Sequence, residues 1–388
     1  MFSNAVAGTL TGCKTVTTSP LVLMPSAHLS PRCQRCETLP AKIIGPGTLH
    51  LRFPLTHSLG KTLSTLRSHG WRFTEDRGTV SVEIGEENIA AYTAALASAL
   101  TTQEQQDIRA LFAPRDQELQ LADYLEADSL YQFAGRARAG WLTSMLSEER
   151  LTTHFQPIIS CEDGSIYGYE CLMRGVEDGK LVPPFQILEL ARQTNFLFQV
   201  DLAARRAAIR NAYRHGIKAK IFINFTPTAI YDPQNCLRST VALIQECGIQ
   251  PEQVVFEVIE SEHVHEVKHL LSILNFYRER GFGVALDDLG AGYSSLNLLV
   301  ELKPDYVKLD RDLITNVADN PYKAVIAAKL FETAIGLGVQ SIAEGVETEA
   351  EFTWLQEQGA TYAQGYYFAR PAAEPPIQIG GFGDLAAA

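Results

Sequence analysis

From His154 onward, short runs rich in β-branched and aromatic residues alternate with stretches of helical composition. No other feature constrains the fold of this chain as much. The runs are HFQPII, YGYECLMR, KIFINF, VVFEVIE, GVALDD, DYVKLD, VQSIAEGV and YAQGYYF, and most are separated by helical stretches of roughly 10 to 20 residues. Strands that alternate with helices pair in parallel, because each helix carries the chain back to the starting edge. Eight such strands over roughly 230 residues predict an α/β barrel of the (β/α)₈ type.

Polar residues interrupt these apolar runs near their C-terminal ends. Glu170 lies in YGYECL, Asn224 in KIFIN, Glu257 in VVFE, Asp287 and Asp288 after GVAL, Lys308 in DYVK and Glu344 in QSIAE. In a parallel barrel the C-terminal strand ends converge on one mouth, where active sites are built. Five carboxylates are therefore expected in one pocket. Like charges in a desolvated site raise each other's pKa or push the site apart, and cations resolve the conflict. An oxygen-rich set with one asparagine and no cysteine or histidine favours Mg²⁺ or Mn²⁺ over zinc. Adjacent aspartates can face two ions about 3.5–4 Å apart, the arrangement used for in-line displacement at phosphate. Any one of these acids alone reads more readily as a helix cap or a surface ion pair than as a ligand; the set of them does not.

The N-terminal half shows no such chemistry. Residues 1–45 are rich in Ser, Thr, Pro and Leu with no clear period and read as loosely ordered. Residues 46–115 read as a small α+β domain: a strand at LHLRF, a helix through Lys61 to Ser68, strands at WRF and TVSVEI, then helix from about Glu86 to Phe112. Residues 116–150 read as a helical linker, 151–375 as the barrel and 376–388 as a tail.

A net charge of −12 argues against binding a nucleic-acid polymer, which requires a basic surface. It leaves room for a small anion held through metal ions. No apolar run reaches the roughly 18 residues of a membrane span, and the N-terminus lacks the basic region of a secretory signal. Seven cysteines at irregular spacing fit a reducing compartment, so a cytoplasmic protein without membrane insertion is expected.

Taken in order, these motifs resemble the EAL-domain cyclic-di-GMP phosphodiesterases over about residues 151–371. FQPI (155–158) and YGYECLMR (167–174) resemble the opening strands, with Glu-Cys-Leu at the signature Glu-Ala-Leu. INFTP, FEVIESE, DDLGAGYSSL, VKLD, IAEGVET and AQGYYFARP follow in the family's order. The resemblance implies a modified (β/α)₈ barrel, often dimeric, that linearises cyclic di-GMP to 5′-pGpG with two Mg²⁺ or Mn²⁺ ions. By position it implies that Glu170, Asn224, Glu257, Asp287 and Glu344 hold one ion, and that Asp287 and Asp288 share in the second. Lys308 would orient the attacking water, and Glu260 would steady the loop after the aspartate pair. Gln156, Arg174 and Gln364 would contact the dinucleotide, Arg174 at a phosphate. Glu347 and Asp310 would support the ligands from behind. The sequence departs from the family at Cys171, Ile259, Leu289 and Ala291, none of them a proposed ligand.

Two further motifs compete for attention. HEVKH (265–269) matches a zinc-protease signature, but it falls on an outer helix of the expected barrel, with no evident third ligand. CQRC (33–36) has no second CxxC to complete a zinc site. The alternative to an enzyme is a receptor that binds cyclic di-GMP without hydrolysing it.

Overall fold

The computed structural model describes residues 39, 43, 45–85, 89–115, 119–125, 127–259, 267–290 and 295–379. The N-terminal part runs β1 (Gly47–Arg52), α1 (Thr56–Ser68), β2 (Phe73–Asp76), β3 (Thr79–Ile84), α2 (Ile89–Ala99), α3 (Thr102–Asp107), β4 (Arg109–Pro114), α4 (Leu121–Leu125), β5 (Asp128–Ser129) and α5 (Leu130–Arg138). After α6 (Gly140–Ser147) come β6 (Leu151–Ser160), β7 (Ile166–Glu177), β8 (Lys180–Val182), α7 (Pro184–Thr194), α8 (Leu197–Arg214) and β9 (Lys220–Phe225). Next are α9 (Pro233–Cys236), α10 (Arg238–Glu246), β10 (Val254–Ile259), α11 (Val267–Arg278), β11 (Gly283–Leu289) and α12 (Ser295–Leu302). The chain closes with β12 (Tyr306–Leu309), α13 (Arg311–Ile314), α14 (Pro321–Leu337), β13 (Gln340–Ala343), α15 (Glu349–Glu357) and β14 (Tyr362–Ala363).

The first five strands form an antiparallel sheet in the order β2-β3-β1-β4-β5. Its buried Leu49, Leu51, Val80 and Val82 pack with Leu66, Leu96, Leu130 and Phe133 of the helices. The expected helix through Phe112 is wrong at its end. Thr101 and Glu104 form a capping box that starts a new short helix, and Arg109–Pro114 then pair with β1. Cross-strand pairing outweighs the helical propensity of Arg-Ala-Leu here. Helix α5 joins two cores: Leu130 and Phe133 pack under the small sheet, and Gly135 lies against the Gln193 carbonyl and Thr194 of α7.

The eight strands β6, β7, β9, β10, β11, β12, β13 and β14 close into a ring. Pairings from β7 through β14 are parallel, while β6 runs antiparallel to both its neighbours. The chain reverses by a tight turn between β6 and β7 instead of a helix, which is the modification to the (β/α)₈ pattern. Alternation along each strand divides the side chains between two environments. Ile221, Ile223, Phe256, Val284, Leu286, Val307 and Ala343 face the helices. Ile158, Phe222, Val255, Ala285, Tyr306, Ile342 and Tyr362 fill the barrel interior as an apolar layer. Gly168 belongs to this layer too, and a Cβ there would meet the Phe222 ring and the Lys220 carbonyl. Among the described residues, no helix is long and apolar enough to cross a membrane.

Candidate active site

The site stands one pleat above that apolar layer. Two residues beyond Phe222, Val255, Ala285, Tyr306, Ile342, Tyr362 and Gly168 lie Asn224, Glu257, Asp287, Lys308, Glu344, Gln364 and Glu170. Strand β6 runs the other way, so its contribution, Gln156, stands two residues before Ile158. The strand period of two thus delivers eight polar side chains to one level at the mouth.

Lys308 is the centre of this level and is 1% exposed. Its Nζ lies 2.6 Å from Glu344 Oε1, 3.2 Å from Glu257 Oε1, 3.2 Å from Asp287 Oδ1 and 3.4 Å from Glu170 Oε2. Asn224 Nδ2 donates to Glu170 Oε1 at 3.0 Å and to Glu257 Oε2 at 3.2 Å. Gln364 Nε2 donates to Glu170 Oε2 at 2.7 Å and to Gln156 Oε1 at 3.1 Å. Glu170 therefore receives a donor on each oxygen.

The charges do not balance. Burial penalises Lys308 as a cation, yet the surrounding carboxylates hold its pKa well above the usual lysine value. Glu170, with Lys308, Gln364 and Asn224 against it, overcomes its own burial and is shifted down. Burial pushes Glu257 well up and raises Asp287, with Lys308 only partly offsetting it. Burial and its neighbours push Asp288 up to about 6 and Glu344 up to about 8. One lysine does not neutralise five acids, so the cluster retains protons or takes up cations.

Asp288 reaches the mouth by a different route from its neighbour. Strict alternation would turn it toward the helices. Its backbone is left-handed (φ 59°), the register with β12 shifts between Leu286 and Leu289, and its N–H donates to Asp287 Oδ1 at 3.0 Å. This irregularity groups Asp287, Asp288 and Glu344, while Glu170, Glu257 and Asp287 form a second group on the other side of Asp287. In each group one carboxylate oxygen per residue lies within 4.8 Å of the others, close enough to share an ion. Among the described residues these are the two acidic groups with such spacing, and both sit at the mouth.

The other expected residues are placed as follows. Arg174, on the outer part of β7, donates to the Met173 carbonyl at 2.7 Å, and burial lowers its pKa. Glu347 is exposed on the rim, its N–H donating to Glu351. Asp310 caps α13, accepting from the Asp312 N–H at 2.8 Å, and lies close enough to Asp288 to raise its pKa. Glu260 and Ala291 lie outside the described residues. Leu289 is buried in the helix-facing core, as is Cys171, whose thiol burial keeps protonated.

Two residues at the mouth were not anticipated from the sequence. A cavity of about 230 Å³ over the acid layer is lined by Arg311 and Tyr366 together with Gln156, Glu170 and Glu347. The Arg370 guanidinium stacks 4.3 Å from the Tyr366 ring centroid. Both newcomers follow strand ends by a few residues, Arg311 at the start of the one-turn helix α13 and Tyr366 in a turn, with no periodicity to mark them. Gly365, between Gln364 and Tyr366, cannot carry a side chain, because a Cβ would collide with the Val346 backbone. A larger cavity of about 670 Å³ lies at the opposite end of the barrel and contains none of the acid layer. In the HEVKH segment, His269 Nε2 is already engaged by the Ile230 carbonyl at 2.6 Å, while His265 and Glu266 lie outside the described residues, as do Cys33 and Cys36.

Comparison with known proteins agrees with this geometry. The EAL domain family model matches residues 139–371. The cyclic di-GMP phosphodiesterase RocR of Pseudomonas aeruginosa is 30% identical over 237 residues, 59% of this chain and 59% of its own length. The signaling protein YkoW of Bacillus subtilis is 28% identical over 244 residues, covering 61% of this chain and 30% of its own length. A standalone EAL protein from Vibrio cholerae O395, solved with c-di-GMP bound, superposes with a TM-score of 0.55 at 34% identity, over 61% of this chain and 98% of that one. The chain spans about 30–46% of the length of the first curated relatives it matches.

Proposed function

This chain belongs to the EAL domain family, and from its barrel mouth we propose that it hydrolyses cyclic di-GMP to linear 5′-pGpG. The observation that carries the reading is the acid layer itself. Glu170, Asn224, Glu257, Asp287, Asp288 and Glu344 stand together around a buried lysine.

The donor set fits divalent cations. Asn224 Oδ1 and Gln364 Oε1 are buried without a hydrogen-bond partner, and hard oxygen donors suit Mg²⁺ or Mn²⁺. In this reading Glu170, Asn224, Glu257, Asp287 and Glu344 hold one ion, and Asp287 and Asp288 take part in a second. Bound there, the ions neutralise phosphate charge and make water nucleophilic near neutral pH.

The protein's own groups do the positioning. Lys308, held protonated by its four carboxylates, presents an N–H to the attacking water or a phosphate oxygen. Arg174 binds a phosphate, for which its planar fork is shaped. Gln156 and Gln364, tied together at 3.1 Å, orient the dinucleotide over Glu170. Glu260 would steady the loop after Asp288, and Glu347 and Asp310 would hold the rim.

A homodimer and a cytoplasmic setting belong to the same reading. The exposed Tyr322, Val325, Ile326 and Leu337 on α14 support the first, and the free thiols of Cys161, Cys171 and Cys247 support the second. The division into an N-terminal regulatory part, a helical connector and a catalytic barrel is proposed with them.

The test is direct. Purified protein is mixed with cyclic di-GMP and Mg²⁺ or Mn²⁺, and the products are separated. Metal-dependent linear dinucleotide that disappears on Glu170→Ala is expected. Tight binding without turnover in either metal overturns the hydrolase and leaves a receptor.

A further inference from the structure

Beyond the barrel, the small N-terminal sheet has a covered face of its own. Its apolar alternate residues point into the helix-covered core. The opposite parity places Thr48 and His50 of β1, Ser81 and Glu83 of β3, and Ala113 of β4 on the other face, and Arg115 follows directly after β4. That face is not open sheet. Ala113 is buried there, and Leu119 and Tyr124 line the same half-open cavity of about 570 Å³. Cavities of about 300–1,000 Å³ are the usual size for small-molecule sites.

The lining carries opposite charges at its two ends. Glu83 and Ala113 flank Thr48 across three adjacent strands, and Arg115 lies two residues beyond Ala113, just past the end of β4, its N–H donating to the Pro46 carbonyl at 3.2 Å. Strand spacing puts the Glu83 and Arg115 backbones on the order of 12 Å apart. Neither side chain has an ion-pair or hydrogen-bond partner among the described residues. Between them stands the Thr48 hydroxyl, and His50 is fixed through Nδ1 to Ser81 Oγ at 2.9 Å. Burial lowers the His50 pKa, so its ring enters neutral. The half-exposed Tyr124 ring supplies an apolar wall.

We propose that this cavity binds a small zwitterion of the α-amino-acid class, with its ammonium group on Glu83 and its carboxylate on Arg115. Each charge then meets a charge-assisted partner, and the ligand's side chain lies against Tyr124. Strand β4 pairs with β5, which leads directly into α5, and α5 packs against α7 of the barrel. The site is thus continuous with the barrel but does not share its mouth.

The experiment uses the full chain and reads binding alone, so its outcome is independent of hydrolysis. Each of the standard L-amino acids is titrated by scanning fluorimetry and calorimetry, beside the matching decarboxylated amine and N-acetylated acid. At least one amino acid should raise the melting temperature saturably, and both one-charge analogues should bind at least about tenfold more weakly. Glu83→Gln and Arg115→Gln, at exposed positions, should each weaken binding at least about tenfold while the free protein melts unchanged. The proposal is overturned if no amino acid binds, if either analogue binds as well as the parent, or if both substitutions leave affinity intact.

Discussion

Gln364 Nε2 donates to Glu170 Oε2 at 2.7 Å, joining the exit of β14 to the middle of β7. The bond spans the closure of the barrel, where β6 intervenes antiparallel between those two strands. It also fixes a carboxylate beside Lys308 in the acid layer, so closing the barrel and shaping the site are one event. The consequences are testable at four places.

Lys308 is the only cation found in the acid layer among the described residues. In Lys308→Met, hydrolysis should fall at least about 100-fold, the scale of a lost proton-transfer or positioning group. With chelator present the variant should also be less stable by about 3–5 kcal/mol, since buried carboxylates lose their counter-charge. Saturating Mn²⁺ should recover most of that stability. Melting curves with and without metal check this, and an equal loss in both would contradict the counter-charge role.

At Asp288 the left-handed backbone (φ 59°) separates two functions. Asn tolerates this conformation, so Asp288→Asn should melt close to the parent while losing most hydrolysis. A β-branched residue does not tolerate it, so Asp288→Val should lose about 1–3 kcal/mol as well as activity. Urea titration beside turnover distinguishes the two. If the variants are equally stable, the backbone imposes no such demand.

Asp201 holds the loop beyond Asn224 from behind. Its Oδ2 accepts from Arg205 Nη2 at 2.7 Å inside the core, and its Oδ1 accepts from the Thr226 N–H at 2.8 Å. Asp201→Ala should cost about 3–5 kcal/mol because Arg205 then loses its carboxylate counter-charge inside the core. Pairing it with Arg205→Met should return part of that loss. A double variant as unstable as the sum of the two single variants would refute the coupling.

Glu104 should contribute to the acid stability of the small sheet's helices. The Thr101 N–H first, then Lys61 and Ser58, lower its pKa from 4.5 to about 2 in the folded chain. A carboxylate lowered on folding stabilises above its unfolded value and loses that contribution as protons return. Stability should therefore fall between pH 4.5 and about 2. In Glu104→Gln the chain should be less stable at pH 7 and show a flatter decline over that window. Circular dichroism against pH records both, and an unchanged acid limb would exclude Glu104 as its source.

Much of this site is legible in the order of residues alone, for a local reason. In β9 to β13 the side-chain period is two, so Phe222 and Asn224, or Tyr306 and Lys308, must share a face wherever the strand lies. Parallel pairing then carries those faces to one mouth, which is why the order of acids along the chain predicts their meeting. Other features depend on contacts between residues far apart in sequence. The reversed direction of β6 decides that Gln156 precedes its apolar neighbour. The bulge at Asp287–Asp288 depends on pairing with β12. Arg109–Phe112, expected as helix, belong to strand β4 because β1 offers an open edge. Arg311 opens α13 beside Gly345, and Tyr366 follows Gly365 where it packs on the Val346 backbone, so both reach the cavity through close approaches of distant segments. Sequence alone determined which side of each strand the chemistry occupies, because alternation is a property of neighbouring residues. Tertiary structure alone decided strand direction, register and loop path, because those are settled by which distant backbone groups find one another.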